Sequence, residues 1–361
     1  MSVRLDSIRA GFQQAGVDAV IVSSDENRRY LSGFTGSAGS LIITSKDAVL
    51  ATDFRYVEQA GQQSPDFRVL RTVGGSDWLK DLLKELNVCN LGFESQHMTV
   101  ATHERLRNAL EENKDDSAIL LVATFGLVEG LRSIKDASEM AMLTRAIEIS
   151  DKAFEEIAKT IRVGQTEKEI AWKLEKAMRE LGADTISFDT IVAAGPNAAL
   201  PHHRPDESVI LDGQPLIIDM GARFEGYCSD LSRTLCMGQP DDTFRKIYDT
   251  VLGAQLTAIA TVERGMTGGD ADGLARTVIE EAGYGENFGH SLGHGVGLEV
   301  HEHPGVGPNS PGVLEDGMPF TIEPGIYISG WGGVRIEDVV VLENGRARVI
   351  SKAPKLDRMG V

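Results

Sequence analysis

Acidic residues interrupt apolar, strand-like sequence at two places in this 361-residue chain. The first is residues 215–234, PLIIDMGARFEGYCSDLSRT, which we interpret as a β-hairpin. With Phe224 and Glu225 at the turn, Asp219 would lie directly opposite Asp230. Opposed Cβ atoms are about 4.5–5.5 Å apart, and like charges there repel. The hairpin therefore predicts two carboxylates in close contact.

The second place is residues 319–341, PFTIEPGIYISGWGGVRIEDVVV, where a turn centred on Gly330 would set Glu323 opposite Glu337. Both acids have apolar and β-branched neighbours. Burying an unpaired carboxylate is costly, so buried charge is normally paired or bound to metal. Either hairpin alone could face solvent, but two hairpins that each juxtapose two acids indicate a cation site.

Six of the eight histidines lie between residues 202 and 303, namely His202 and His203 in ALPHHRP and His290, His294, His301 and His303 in FGHSLGHGVGLEVHEHP. This density, among glycines that permit close backbone approach, predicts a functional site. We interpret His203 and His303 as bystanders. His290 and His294 have the spacing of HExxH, but Ser291 replaces the glutamate and the glycines disfavour a helix, so we reject a zincin.

A serine hydrolase is a rival interpretation of the same segment, because residues 289–293 match G-x-S-x-G around Ser291. That motif must follow a buried strand, whereas GYGENFGH precedes it here. The last histidine, His303, also lies too close downstream for the usual order of serine, acid and histidine. The sequence therefore disfavours this alternative.

Composition narrows the function classes. Asp and Glu number 54 against 36 Lys and Arg, a net charge of −18, and no basic run is present, so we expect no nucleic-acid partner. No apolar run approaches the 18 or so residues of a spanning helix, so we expect no membrane role. The first residues lack an apolar leader, and three scattered cysteines do not make a disulfide framework. We expect a cytoplasmic protein.

Hydrophobic periodicity predicts an α+β protein of two domains, 1–130 and 131–361. The first is mixed α/β, with strands at 19–22, 41–44, 49–52 and 119–122 and helices at 77–87 and 101–113. The second opens with two capping boxes, Asp136 with Glu139 and Thr166 with Glu169, each followed by an apolar stripe, to residues 161 and 181. Further helices are predicted at 242–262 and 270–282.

The acidic and histidine segments together resemble the pita-bread metallopeptidases, in particular the Xaa-Pro branch of aminopeptidase P and prolidase (Xaa-Pro dipeptidase). Five ligand positions follow the family's order and contexts: Asp219 in IIDMG, Asp230 in CSDLSRT, His294 in LGHGVG, Glu323 in TIEPG and Glu337 in VRIED. No ligand is missing, unlike in creatinase. The resemblance is strong over 134–351 and looser before it, where RRYLSGFTGSAG and ATDFRY are similar to the amino-terminal domain of these enzymes. It implies a creatinase-like domain followed by a pita-bread catalytic domain.

The resemblance also implies two divalent cations per subunit. Asp230 and Glu337 would bridge both ions, Asp219 would chelate one, and His294 with Glu323 would hold the other. This oxygen-rich set favours Mn²⁺ or Co²⁺, with Zn²⁺ and Fe²⁺ as compatible alternatives. Two ions about 3.5–4 Å apart lower the pKa of a water that they share.

Catalytic roles follow by the same resemblance. Glu323 would carry a proton to the leaving imino nitrogen. His301, His290 and His202 would line the pocket and stabilise the oxyanion or hold substrate, and Arg335 would orient the carboxylates.

The expected substrates are peptides with proline at the second position. We predict cleavage of tripeptides and longer peptides, with Xaa-Pro dipeptides as further candidates, and a homodimer. Arg204, His202 or a residue of a partner subunit could bind the substrate carboxylate. The alternative from another class is a non-catalytic pita-bread binding module.

Overall fold

The computed structural model describes residues 3–75, 77–111 and 119–355. The chain divides into two compact units, Met1–Arg132 and Ser133–Val361. Among the described residues, no helix combines the length and hydropathy needed to cross a bilayer.

The first unit is a six-stranded mixed sheet with helices. Its strands are β1 Ala19–Val22, β2 Ser40–Thr44, β3 Ala48–Thr52, β4 Arg68–Arg71, β5 Asn90–Glu94 and β6 Leu120–Thr124. Its helices are α1 Val3–Ala10, α2 Phe12–Ala15, α3 Asp25–Ser32, α4 Val57–Gln63, α5 Asp77–Glu85, α6 Val100–Glu111 and α7 Glu129–Arg132. The strand order is β4-β3-β2-β1-β5-β6. All four predicted strands are present, and both predicted helices are confirmed, with residues 112 and 113 outside the described part.

The second unit combines four α-helices with short sheets in its described part. The helices are α8 Ala137–Ala158, α9 Glu167–Glu180, α10 Asp242–Thr261 and α11 Gly268–Glu281. The strands are β7 Thr185–Ile186, β8 Ile191–Ala194, β9 Pro215–Met220, β10 Ala222–Phe224, β11 Tyr227–Cys228, β12 Leu231–Cys236, β13 Gly293–Gly295, β14 Glu302–Val306, β15 Pro319–Ile322, β16 Gly325–Ile328, β17 Gly332–Arg335, β18 Asp338–Glu343 and β19 Arg346–Val349. The two sheets that carry the site have the orders β12-β9-β8 and β14-β13-β15-β18-β19.

Each pair of helices covers one of these sheets. Phe154 of α8 and Leu174 of α9 pack in one core with Ile218 of β9, whereas Phe244 of α10 packs with Phe320 of β15 in another. Both predicted capping boxes are confirmed. The helix predicted to reach residue 161 ends instead at 158, and α11 begins two residues early because a third capping box starts it.

The register of the second acidic hairpin is confirmed. The ladder between β15 and β18 ends with Ile322 opposite Asp338, and the ladder between β16 and β17 continues in the same register. Glu323 and Glu337, which lie between the two ladders, therefore face each other.

The predicted register of the first acidic hairpin is wrong by two residues. Asp219 pairs with Ser232 rather than with Asp230, because the turn is at Glu225 and Gly226, one residue beyond the predicted centre. Both turn residues have positive φ, 47° and 77°, as a type I′ hairpin turn requires. A shift of two keeps each side chain on its face of the sheet, so Asp230 lies diagonally from Asp219.

Candidate metal centre and active site

Neighbouring strands position the five predicted ligands, four of them at or next to a strand end. Asp219 is the fifth residue of β9, and Asp230 directly precedes β12. His294 is the middle residue of β13, whereas Glu323 follows β15 and Glu337 precedes β18. These last three strands are adjacent in one sheet. The backbone N–H of Glu337 donates to the Ser232 carbonyl at 3.1 Å, which connects β12 to this sheet.

The side chains converge around His294. Its Nε2 lies 3.2 Å from Glu323 Oε1 and 3.6 Å from Asp230 Oδ2. Donor atoms of Asp230, His294 and Glu337 all lie within 4.8 Å of one another. Thr321 Oγ1 donates to Glu323 Oε1 at 3.0 Å, and His294 Nδ1 lies 3.0 Å from the Gly295 carbonyl. The second ring nitrogen of His294 is thereby oriented towards the carboxylates.

Burial and mutual repulsion disfavour ionisation of Asp230 and Glu337, whereas Glu323 is favoured as the carboxylate. Burial, then the charges of Glu337, Asp219 and Glu323, raises the pKa of Asp230 well above its usual value. The pKa of Glu337 is also raised well above its usual value, first by burial and then by the charges of Glu323 and Asp219. Burial also opposes ionisation of Glu323, but its hydrogen bond to His294 and the charge of that ring outweigh burial and lower the pKa of Glu323 to about 2.

The residues present fit divalent metal ions. Four carboxylates converge, and the guanidinium of Arg335 is the cation bonded to one of them, Asp219. Asp219 Oδ1 and Glu337 Oε1 are buried and have no hydrogen-bond partner within the described residues. Oxygens of this kind need a positive partner to offset desolvation, and carboxylates with one imidazole are suitable ligands for a divalent ion.

Arg335 and Tyr327 are hydrogen-bonded to each other beside the acidic cluster. Arg335 Nη2 donates to Asp219 Oδ2 at 2.6 Å, and its Nη1 donates to the Tyr327 hydroxyl at 2.8 Å. His290 Nε2 lies 3.0 Å from the same hydroxyl. Sequence reasoning missed Tyr327. The hairpin register pairs Tyr327 with Gly333, which is two residues before Arg335. Tyr327 and Arg335 are therefore diagonal neighbours on the same face of the hairpin.

A cavity of about 450 Å³ opens over the cluster. Every predicted site residue lines it except the more deeply buried Glu337: His202, Asp219, Asp230, His290, His294, His301, Glu323 and Arg335. The His301 ring stands edge-on to that of His294, 4.2 Å between centroids. Burial lowers the pKa of His290 and of His301, and the charge of His294 lowers that of His301 further. Both rings therefore favour the neutral form.

The loop that carries His290 is held from α11. Asp272 accepts a hydrogen bond from the Leu292 N–H at 2.9 Å and a two-pronged ion pair from Arg276. Arg276 also donates to the carbonyls of Phe288 and His290, both at 2.9 Å. His290 lies in this loop and His294 in a strand, which confirms that they do not form a helical zincin motif.

Ser291 is not placed as a nucleophile. No strand leads into it, and among the described residues its Oγ makes no hydrogen bond to a histidine; His290 Nδ1 lies 2.8 Å from the Ser291 carbonyl oxygen instead. We expect Ser291→Ala to retain turnover within about threefold, because a true nucleophile would cost several orders of magnitude. Steady-state kinetics measures this, and a large loss with unchanged metal content would support the serine hydrolase.

Fold and site together define a metallopeptidase of the pita-bread class. Residues 4–134 match the Creatinase/Prolidase N-terminal domain, and residues 141–344 match Metallopeptidase family M24. The chain belongs to metallopeptidase family M24. The predicted fold class and the predicted metallopeptidase are thereby confirmed.

Three similar proteins carry Xaa-Pro peptidase names. The structure of the Xaa-Pro dipeptidase from Bacillus anthracis has a TM-score of 0.95 and 44% identity, covering 99% of both chains. The X-Pro aminopeptidase structure from Thermotoga maritima has a TM-score of 0.87 and 37% identity, covering 97% of this chain and 100% of that one. The Xaa-Pro dipeptidase from Pyrococcus furiosus is 36% identical over 97% of this chain and 98% of its own length.

Proposed function

We propose that the chain hydrolyses the Xaa-Pro bond at the amino terminus of short peptides. The observation that carries the proposal is the buried acidic cluster around His294, which opens on a cavity lined by further histidines. Asp219, Asp230, His294, Glu323 and Glu337 would hold two divalent cations, Mn²⁺ or Co²⁺ by preference. When bound, the ions would supply Lewis-acid chemistry, polarising the scissile carbonyl and lowering the pKa of the attacking water.

The protein's own groups would then move protons and hold the substrate. Glu323, which contacts Thr321 and His294, would carry a proton to the leaving imino nitrogen. His301, which favours the neutral form, can donate one N–H to the oxyanion or to a substrate carbonyl. His290 lines the pocket without a free N–H, because its Nδ1 is bonded to the Ser291 carbonyl and its Nε2 to the Tyr327 hydroxyl. Arg335 fixes Asp219 and has no freedom to follow the substrate, because Ser232 and Tyr327 bind the rest of its guanidinium.

The length of the substrate is the finer part of the proposal. The names of the relatives include both a dipeptidase and an aminopeptidase, and we propose that Xaa-Pro dipeptides and longer Xaa-Pro peptides are both cleaved. Arg204 lines the cavity and is exposed, so it can bind the carboxylate of a dipeptide without blocking a longer chain.

We expect Ala-Pro, Ala-Pro-Ala and a pentapeptide beginning Ala-Pro to be hydrolysed with kcat/KM values within about tenfold of one another. Tenfold corresponds to about 1.4 kcal/mol of differential binding, which is the most that we expect chain length to contribute. The control is Ala-Ala-Ala, which should not be cleaved. Turnover of the dipeptide alone would exclude the aminopeptidase activity, and equal turnover of Ala-Ala-Ala would contradict Xaa-Pro specificity.

Two further expectations accompany the proposal. A homodimer follows from the family resemblance, and a cytoplasmic location follows from the sequence. The alternative of a non-catalytic binding module predicts a chain that takes up no divalent ion and turns over no peptide, which metal analysis beside the same assays distinguishes.

A further inference from the structure

The loop that carries His202 has no regular secondary structure of its own. Residues 201–206 are turn and irregular backbone, yet Pro201, His202, His203 and Arg204 all line the cavity. His202 and Arg204 are exposed. An exposed side chain on an irregular loop is positioned only as well as its backbone is held.

Glu167 holds this loop from beneath. Its Oε1 accepts hydrogen bonds from the Ala194 N–H at 2.8 Å and from Asn197 Nδ2 at 3.0 Å. Its Oε2 lies 2.6 Å from His203 Nε2 and accepts from the Asp206 N–H at 3.1 Å. One carboxylate therefore connects the end of β8, the helical turn that follows and both halves of the loop.

The carboxylate itself is rigidly placed. Glu167 is the first residue of α9 and is fully buried, 0% exposed. Its backbone N–H donates to the Ser208 carbonyl at 3.1 Å, which closes the loop behind it. Ligand atoms of Glu167, His203 and Asp206 also lie close enough together to hold a metal ion. Each Glu167 oxygen, however, already has two nitrogen partners. Attachment of the loop by hydrogen bonds therefore explains the arrangement more fully than a bound ion does.

We infer that Glu167 and His203 are positioning residues, which hold the 201–206 loop so that His202 projects into the cavity. In the described part of the chain, neither forms a hydrogen bond or an ion pair with the acidic cluster; both act through the loop. His203 is accordingly no bystander. This inference rests on the proposed function for its catalytic consequence, though not for the loop geometry.

The test is a double-mutant cycle with Glu167→Gln and His202→Ala. An amide retains one acceptor oxygen, so either the Ala194 or the Asp206 N–H loses its partner while side-chain volume is unchanged. We expect E167Q alone to lower kcat/KM by about 10–100-fold for Ala-Pro-Ala, the substrate for which Arg204 has no proposed role, because displacing a substrate-positioning group by about 1 Å can cost on the order of 100-fold. In the H202A background, it should lower kcat/KM by no more than about threefold, because coupled residues are not additive. Additive losses would overturn the inference.

The matched control is Asp151→Asn, another buried carboxylate of the same unit. Asp151 accepts from the N–H groups of Lys352 and Ala353, far in sequence from the loop. We expect D151N to have the same effect in the wild-type and H202A backgrounds. If E167Q fails to fold, His203→Asn replaces it in the same double-mutant cycle. This substitution removes one of the four hydrogen bonds to Glu167, and we expect the same non-additive result.

Hydrogen exchange supplies a readout that does not depend on activity. We expect the amides of residues 194–208 to exchange at least about tenfold faster in E167Q, whereas those of α8 keep their rates, as for a local opening. Unchanged exchange in this loop would overturn the inference whether or not the protein cleaves Xaa-Pro peptides. An inactive wild-type protein with faster loop exchange in E167Q would instead contradict only the proposed function.

Discussion

Asp230→Asn is expected to lower kcat for Ala-Pro by at least about 1000-fold, because losing about 4 kcal/mol of metal-derived transition-state stabilisation has that effect. Asp230 lies 3.6 Å from His294 and shares a candidate site with Glu337. In the bridging role proposed for Asp230, the amide would remove a charge from both ions. Metal analysis of the purified variant should show fewer ions per chain. Glu337→Gln should behave alike.

In the metal-free protein, the same substitution should not lower the stability of the fold. Burial and three neighbouring carboxylates raise the pKa of Asp230, so the folded metal-free chain loses stability as pH rises above the ordinary carboxylate range, about 4. Removing this carboxylate removes the repulsion. We expect metal-stripped D230N to melt no lower than metal-stripped wild type at pH 7. Full activity in D230N, or an equal loss in the D151N control, would contradict the proposed role of Asp230.

Local patterns in the sequence were sufficient for several elements. The capping boxes at Asp136 and Thr166 each place an oxygen where free N–H groups of a helix end need one, so both helix starts could be predicted. The hairpin around Gly330 has alternating apolar residues on both sides, which set the register that brings Glu323 opposite Glu337.

The first hairpin shows where such reasoning fails. Its pattern is compatible with two registers that differ by two residues, because both keep the same faces buried. The choice depends on which residues adopt positive φ, and Glu225 does so at 47° beside Gly226. A glutamate in that conformation is uncommon, so the glycine at 226 was the one local sign of a turn at this position.

Supporting residues of the site were harder still to predict. Tyr327 reads as one more aromatic in an apolar strand, and its contact with Arg335 depends on the register. Glu167 reads as a helix-start residue, yet its partners lie 27 to 39 positions away. Contacts of such residues are set by how loops close over the sheet, which hydrophobic periodicity does not encode.

Metal removal has the largest expected effect of all. Without metal ions, the four carboxylates face one another and Arg335 is bonded to only one of them, Asp219, among the described residues, so the groups that would activate water and polarise the carbonyl are missing. Binding to the folded state alone also stabilises it, by about 2.7 kcal/mol at a free ion concentration 100 times Kd. The melting temperature should therefore rise when Mn²⁺ is returned.

The most direct measurement is Ala-Pro hydrolysis by EDTA-treated, desalted protein, before and after titration with Mn²⁺ or Co²⁺, with ions per chain counted at each step. We predict loss of activity on chelation, and recovery that saturates at two bound ions in wild type but not in D230N. Undiminished hydrolysis by protein shown to contain no metal would contradict the account.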